Sequence, residues 1–347
     1  MAHNIFQDRF YSNRQKAWHG IGYVSETDQT GIEALTAIGG GYYFEKRPLT
    51  VTLNGKAIET EDFAIVRSPL PDDPTERIFG YATKRYTILQ PLEVIELFDE
   101  KVKEPVETLG FLGKGERMFM TWKMPKFDVV KDDTVELFGT IVVGFDALLG
   151  ASLLNVTTRS VCENTVALAL READNTKEIG RGRIYSGKHT TKSMKYEFSE
   201  WMGYIQDNAK KQANLAKSLF KRLAQVPLEE ENEVYRLLFA AYPNPEPLAK
   251  NAYIPPSLRQ KEEEKIEDKK ELMEKYRSGI HSLFTSGQGT AISKNYWGLL
   301  NATTEYFNWG QMEKKPANAS ILFGQRSNRM NDMVEVLDVE SQRKLAK

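Results

Sequence analysis

The chain has 347 residues, of which 41% are hydrophobic and 27% charged, with a formal net charge of −1. That length can bury one large core or two smaller ones, and that charge excludes a uniformly basic coat of the kind that wraps nucleic acid. No apolar run approaches the roughly 20 residues that cross a bilayer, the N-terminus lacks a secretion-signal pattern, and a single cysteine excludes an internal disulfide.

Residues 1–26 are polar and aromatic and read as an N-terminal arm ending in Ala17-Trp18-His19-Gly20-Ile21-Gly22. The Trp-His pair there anchors such an arm, with an apolar ring and a polar tip. Residues 27–192 read as an α+β core domain. Thr30-Gly31-Ile32-Glu33 is a capping box that starts a short helix, stopped at Gly39-Gly40-Gly41. The period then changes to two. Tyr43 to Leu53, the turn Asn54-Gly55 and Lys56 to Glu59 read as a hairpin, since Asn-Gly suits a type I′ turn. Phe63 to Arg67 and Arg77 to Ala82 continue as strands around a proline-rich loop from Ser68 to Pro74. Leu92 to Val102 has helical spacing, and strand patterns resume at 106–111, 117–123, 134–143 and 152–156. The expected fold class is α+β, a mainly antiparallel sheet with helices in the first half and a helical C-terminal part.

Residues 193–330 read as a helical region packed on the core. Met194, Phe198, Trp201, Ile205, Ala209, Ala216, Leu219 and Leu223 fall on one face of a single long helix. Lys210, Lys217 and Lys221 share another stripe, read as a solvated back or as a phosphate-contacting row. Between two proline clusters and residue 283, Ile266, Met273, Tyr276, Ile280 and Leu283 keep one side of a highly charged helix apolar. Trp297, Leu300, Thr304 and Phe307 suggest a last packed helix, and residues 331–347 read as a mobile tail.

Charge is uneven along this half. From Thr176 to Arg222 there are eleven Lys or Arg against four Asp or Glu, and from Leu223 to Arg277 nine against twelve. Such asymmetry attracts phosphates locally even in a neutral chain. Within the basic stretch, Gly182-Arg183-Ile184-Tyr185-Ser186-Gly187-Lys188-His189 is one residue away from a phosphate-binding P-loop. Its last position lacks the Ser or Thr that holds magnesium, and no buried strand precedes it, so nucleotide hydrolysis is not expected. The segment reads instead as a glycine-rich cationic loop in which Arg181, Arg183, Lys188, His189 and Lys192 follow a nucleic-acid backbone while Tyr185 stacks a base.

A second anion site is read upstream. Ser160 and Glu163 form a capping box, so Arg159, Ser160 and Asn164 gather at the positive start of a helix near Val161. Cys162 at that helix start is either a packed small residue or, with His19 or His189 as base, a nucleophile. Four histidines at positions 3, 19, 189 and 281 have no zinc-site spacing, and no metal or other cofactor is expected.

Four blocks carry a family resemblance: Ala17-Trp18-His19-Gly20-Ile21-Gly22, Thr158-Arg159-Ser160-Val161-Cys162-Glu163-Asn164-Thr165, Gly187-Lys188-His189-Thr190, and Trp297 to Tyr306 followed by Phe323-Gly324. In these the chain resembles the phage/plasmid-like protein family (domain of unknown function 932). Ser160 stands where the family's arginine-valine-valine-cysteine version has valine. The resemblance implies an origin on a mobile genetic element and a bacterial cytoplasm. The expected function is single-stranded nucleic-acid binding or annealing in recombination or replication, with no membrane partner, no catalytic residues, and self-association into a homo-oligomer left open. Two alternatives stand beside it. One is an enzyme with a site around Arg159, Cys162, Glu163, Asn164 and His189; the other is a host-directed protein-interaction module.

Overall fold

The structure, a computed structural model, describes residues 4–17, 20–130, 133–156, 182–187, 194–248, 255–287, 294–308 and 325–346. It is an α+β protein whose sheets are mostly antiparallel. Two compact units emerge: Met1–Phe127 with Val135–Ala216, and Asp128–Thr134 with Lys217–Lys347. The division expected at residue 193 thus runs after Ala216, inside a helix.

In chain order the first unit contributes β1 (Ile5–Asn13), β2 (Tyr23–Ser25), α1 (Gly31–Ala37), β3 (Phe44–Leu53), β4 (Lys56–Arg67), β5 (Arg77–Thr83), α2 (Pro91–Lys101), β6 (Val106–Leu112) and β7 (Arg117–Lys123). A short hairpin of β8 (Phe127–Val130) and β9 (Asp133–Val135) follows. Then come β10 (Phe138–Gly144), β11 (Ala151–Val156), β12 (Gly182–Gly187) and α3 (Met194–Asp207). The main sheet has seven strands in the order β12-β11-β10-β7-β6-β1-β2, and a second sheet has the order β3-β4-β5. The strand expected over 134–143 is therefore two strands, interrupted before Phe138.

The two faces of the main sheet differ. On one, Leu109, Met120 and Ile141 lie opposite one another on β6, β7 and β10, and Trp122 on β7 meets Phe98 of α2 at 5.5 Å between ring centroids. On the other, Ser12, Thr108, Thr121 and Thr140 stand side by side across β1, β6, β7 and β10, all fully buried. Thr108 and Thr121 share a hydrogen bond of 2.6 Å between hydroxyls. A one-residue slip would trade these hydroxyls for the large side chains of the opposite face, so the row specifies register.

The N-terminal residues are no arm. β1 pairs with both β2 and β6 inside the main sheet, and two buried arginines pack over the ring of its Phe6. Arg9 lies 5.0 Å and Arg67 5.1 Å from that ring's centroid. Arg67, with no solvent exposure, donates to Lys114 O (3.1 Å), Thr75 O (3.2 Å) and the Asp73 carboxylate (2.7 Å). Arg9 donates to Gly39 O and to Asp72. These bonds fix the proline-rich loop between β4 and β5, and Arg67 followed by Arg77 holds the Asp73 carboxyl far below the usual carboxylate range. Two buried charges persist here because each is paired and hydrogen-bonded. Gly22 closes the same region: its φ is +86° and a Cβ there would sit 2.2 Å from Phe10 O, so only glycine fits.

The single long helix expected from Met194 is broken. Asn208 separates α3 from α4 (Ala209–Gln225), its amide N–H and side chain both donating to Tyr204 O. Phe198, Met202 and Ile205 are the buried face of α3, and Trp201, expected there, is 39% exposed.

The second unit is helical: the end of α4, then α5 (Glu231–Ala241), α6 (Pro256–Ser286), α7 (Tyr296–Asn308) and α8 (Gln325–Leu345), with residues 128–134. Its core joins Phe220, Leu223, Leu237, Leu238, Ile280, Leu299, Met333 and Leu337, all at most 1% exposed. Trp297 packs against Phe220 with its ring tilted by 39° and donates its indole N–H to Asp133 at 2.6 Å. Arg277 of α6 is buried and donates to Tyr242 O at 2.5 Å, placing its charge at the C-terminal end of α5, where the helix dipole favours a cation. The expected tail is α8. Met333, Leu337 and Ser341 bury one face of it at a spacing of four, and salt bridges from Arg222 to Asp338, Arg236 to Glu340 and Lys344 to Glu233 tie it to α4 and α5.

Candidate anion-binding cleft

The residues read from sequence as a nucleic-acid site are distributed as follows. Gly182–Gly187 is no loop: it is edge strand β12, with Arg183 opposite Leu154 and Tyr185 opposite Leu153, and a register irregularity between them. Pairing with β11, whose six residues are all buried, outweighs the glycines at either end. Arg159, Ser160, Cys162, Glu163, Asn164, Arg181, Lys188, His189 and Lys192 lie outside the described residues.

The described residues do form a cationic cleft, at one end of the first unit. β5 stops at Thr83, and the chain returns through Lys84-Arg85-Tyr86-Thr87-Ile88 toward the start of β3. Gln90 ends this return by acting as a one-residue strand. Its side-chain amide donates to Phe44 O at 2.8 Å, while its side-chain oxygen accepts from Phe44 N at 2.9 Å. Its own N–H is taken by Glu93 in the first turn of α2, which sets the helix direction. The return segment is held to the sheet by Lys46, whose ammonium donates to Lys84 O (3.0 Å) and Tyr86 O (2.8 Å) and lies over the Phe63 ring.

Between β3 and this return segment is a cleft of about 510 Å³ lined by residues 44–46 and 84–88. Phe44, stacked on Phe145 at 4.5 Å, and Tyr86 form its buried floor. Burial pushes the Tyr86 phenol well above its ordinary value, so the floor is neutral. Three cations line it: Lys46, and the exposed Lys84 and Arg85. The one acid, Glu45, is engaged by Arg47. Through β4, Lys46 shares a cross-strand row with Ile65 and Gly80, whereas Tyr81 shares the neighbouring row with Ala64 and Arg47, so the 67% exposed Tyr81 ring lies on the other face of edge strand β5, three residues before Lys84.

Three described points tie β12 and α3 to the same end. A Cβ on Gly80 of β5 would be 2.1 Å from Asp146 O, in the turn between β10 and β11. Gly187, the last residue of β12, lies opposite Ala151, the first of β11. Lys195 at the start of α3 pairs with Glu93 of α2 at 2.5 Å. Arrayed cations over a neutral floor can bind an oxyanion or a phosphodiester. Among the described residues no three His, Cys, Asp or Glu side chains gather as they would around a metal ion, and no helix is long and apolar enough to cross a membrane.

Sequence reasoning missed Lys46, Lys84 and Arg85. The adjacent Lys84-Arg85 pair at the end of a predicted strand was the available signal.

A family model described as a domain of unknown function (DUF932) matches residues 79–334, well over half of the chain. The match takes in Lys84, Arg85 and three of the four blocks quoted above; the block at 17–22 lies before it. No curated protein and no solved structure matches.

Proposed function

Because the chain belongs to the DUF932 family, a domain of unknown function, we propose its role from its own chemistry: it binds single-stranded nucleic acid through the phosphate backbone, without catalysis. The reading extends to recombination or replication of a mobile element in a bacterial cytoplasm, the setting the phage/plasmid resemblance implies. The observation that carries it is the cleft lined by Lys46, Lys84 and Arg85 above a neutral aromatic floor, beside an edge strand that carries an exposed tyrosine. Backbone phosphates need cations without base-specific donors, and exposed rings stack any base. Arg159, Arg181, Arg183, Tyr185, Lys188, His189 and Lys192 remain the proposed continuation of the contact surface, with Arg159, Ser160 and Asn164 as its second anion site. The support for this continuation is that β12 ends, and α3 begins, at the cleft's end of the unit.

Fluorescence anisotropy with a labelled oligothymidylate tests the reading. The expected result is saturable binding at low salt that weakens steeply as salt rises, because phosphate contacts release counterions. Absence of binding at low salt, with the protein folded, overturns it.

A further inference from the structure

The β3–β4 hairpin runs past the body of its sheet. Residues 50–59 are exposed without interruption, so neither face of this stretch is covered. Thr50 pairs with Glu59, Val51 with Ile58, Thr52 with Ala57 and Leu53 with Lys56, closing on Asn54 and Gly55 with positive φ at both. Directly opposed residues share a face, so Val51, Leu53 and Ile58, 47%, 55% and 49% exposed, lie on one side with Lys56 at its tip, and Thr50, Thr52, Ala57 and Glu59 lie on the other. Two strands with no core beneath them are marginal in water. Their charge is also one-sided: Glu59, Glu61 and Asp62 stand against Lys56 alone.

The cleft at the root of the same sheet has the opposite character, with Lys46, Lys84 and Arg85 around Phe44 and Ile88. We propose that the hairpin arm of one copy docks in the cationic cleft of a second copy, wedged with its apolar side against the β3 wall and its opposite side, which carries Glu59, toward Lys84 and Arg85. Each chain then carries both halves of a junction, a head-to-tail arrangement that extends or closes into a ring. The proposal needs the charge of the cleft and is independent of nucleic-acid binding; where both occur, they compete for the same cations.

Sedimentation velocity on the full chain tests it, with each variant first shown to be folded by circular dichroism. The wild type is expected to associate in a concentration-dependent way, with an association constant that falls about tenfold between low and high salt. Glu59→Lys with Glu61→Lys, and separately Lys84→Glu with Arg85→Glu, are each expected to be monomeric. An equimolar mixture of the two variants retains one intact arm and one intact cleft, and is expected to form a one-to-one complex. Val51→Thr with Ile58→Thr keeps the strand propensity and should weaken association about tenfold. A monomeric wild type, variants that associate like the wild type, or a mixture that stays monomeric overturns the proposal. Oligonucleotide binding by the Glu59→Lys, Glu61→Lys variant, whose cleft is intact, reports on the nucleic-acid reading separately.

Discussion

Replacing Lys84 and Arg85 together by glutamine removes two of the three cleft cations and leaves the fold's own contacts in place. Lys46 is the wrong target, because its ammonium bonds two carbonyls of the return segment and its loss would reshape the cleft. Lys84 and Arg85 are exposed, and no ion pair joins either to another described residue. Each phosphate neutralised on a single strand contributes about −0.7 to the slope of log K against log salt concentration. Losing two contacts therefore makes that slope shallower by about 1.4, whatever other cations contribute. Over a fourfold rise in salt, the wild type should lose about sevenfold more of its affinity than the double variant does. The assay is anisotropy of a labelled oligothymidylate titrated at several salt concentrations between roughly 50 and 200 mM. Lys265→Gln is the control: Lys265 is exposed on α6, outside the unit that carries the cleft, and pairs with Glu262, so its removal should leave the slope unchanged. A double variant with the wild-type slope would refute phosphate contact at this cleft.

Three further outcomes follow from the fold. Gly22→Ala forces a side chain into a positive-φ position 2.2 Å from Phe10 O and should cost about 2–4 kcal/mol in urea melts, whereas Gly41→Ala, with open space around it, should be near neutral. Asp73→Asn should open a stability gap with a defined pH profile. The carboxyl is depressed by Arg67 and Arg77, so its contribution is complete above the unfolded carboxylate range near about 4 and is lost only as pH falls through the lower folded value. The gap to the wild type should therefore be flat from neutral pH to about pH 5 and narrow on further acidification; narrowing already above pH 5 would contradict the assignment. Arg277→Met keeps a stem over the Phe239 ring but removes the hydrogen bond that Arg277 donates to Tyr242 O. It should cost about 1–3 kcal/mol and raise amide hydrogen exchange at the C-terminal turn of α5, with no such rise if another group caps that end.

Local signals in the sequence led to the right elements wherever the cause was local. Thr30 and Glu33 cap α1 as their spacing predicts, each bonding the other's backbone N–H, and Asn54-Gly55 turns the β3–β4 hairpin. Failures occur where a distant partner decides. Nothing near β1 announces that Arg67, far along the chain, packs against Phe6, so residues 5–13 read as an arm. The charges of α8 look like a solvated tail until Arg222, Arg236 and Glu233 are seen to pair with Asp338, Glu340 and Lys344. The glycines of Gly182–Gly187 predict a loop, yet β11 pairs with the segment and makes it a strand. The cleft was missed for a related reason. Positive charge along the chain is concentrated at 176–222, while Lys46 and the Lys84-Arg85 pair meet only because Gln90 folds the return segment against β3.

The hairpin residues 128–134 have a consequence for dissection. They belong to the helical unit, yet the chain on both sides of them belongs to the sheet unit. No single scission separates the two. A fragment starting at Lys217 would keep the Trp297 indole and lose the Asp133 carboxylate that accepts its hydrogen bond. Limited proteolysis that releases one half should therefore leave the other with a buried donor unanswered, and the helical half should regain its stability only when the excised hairpin peptide is supplied in trans.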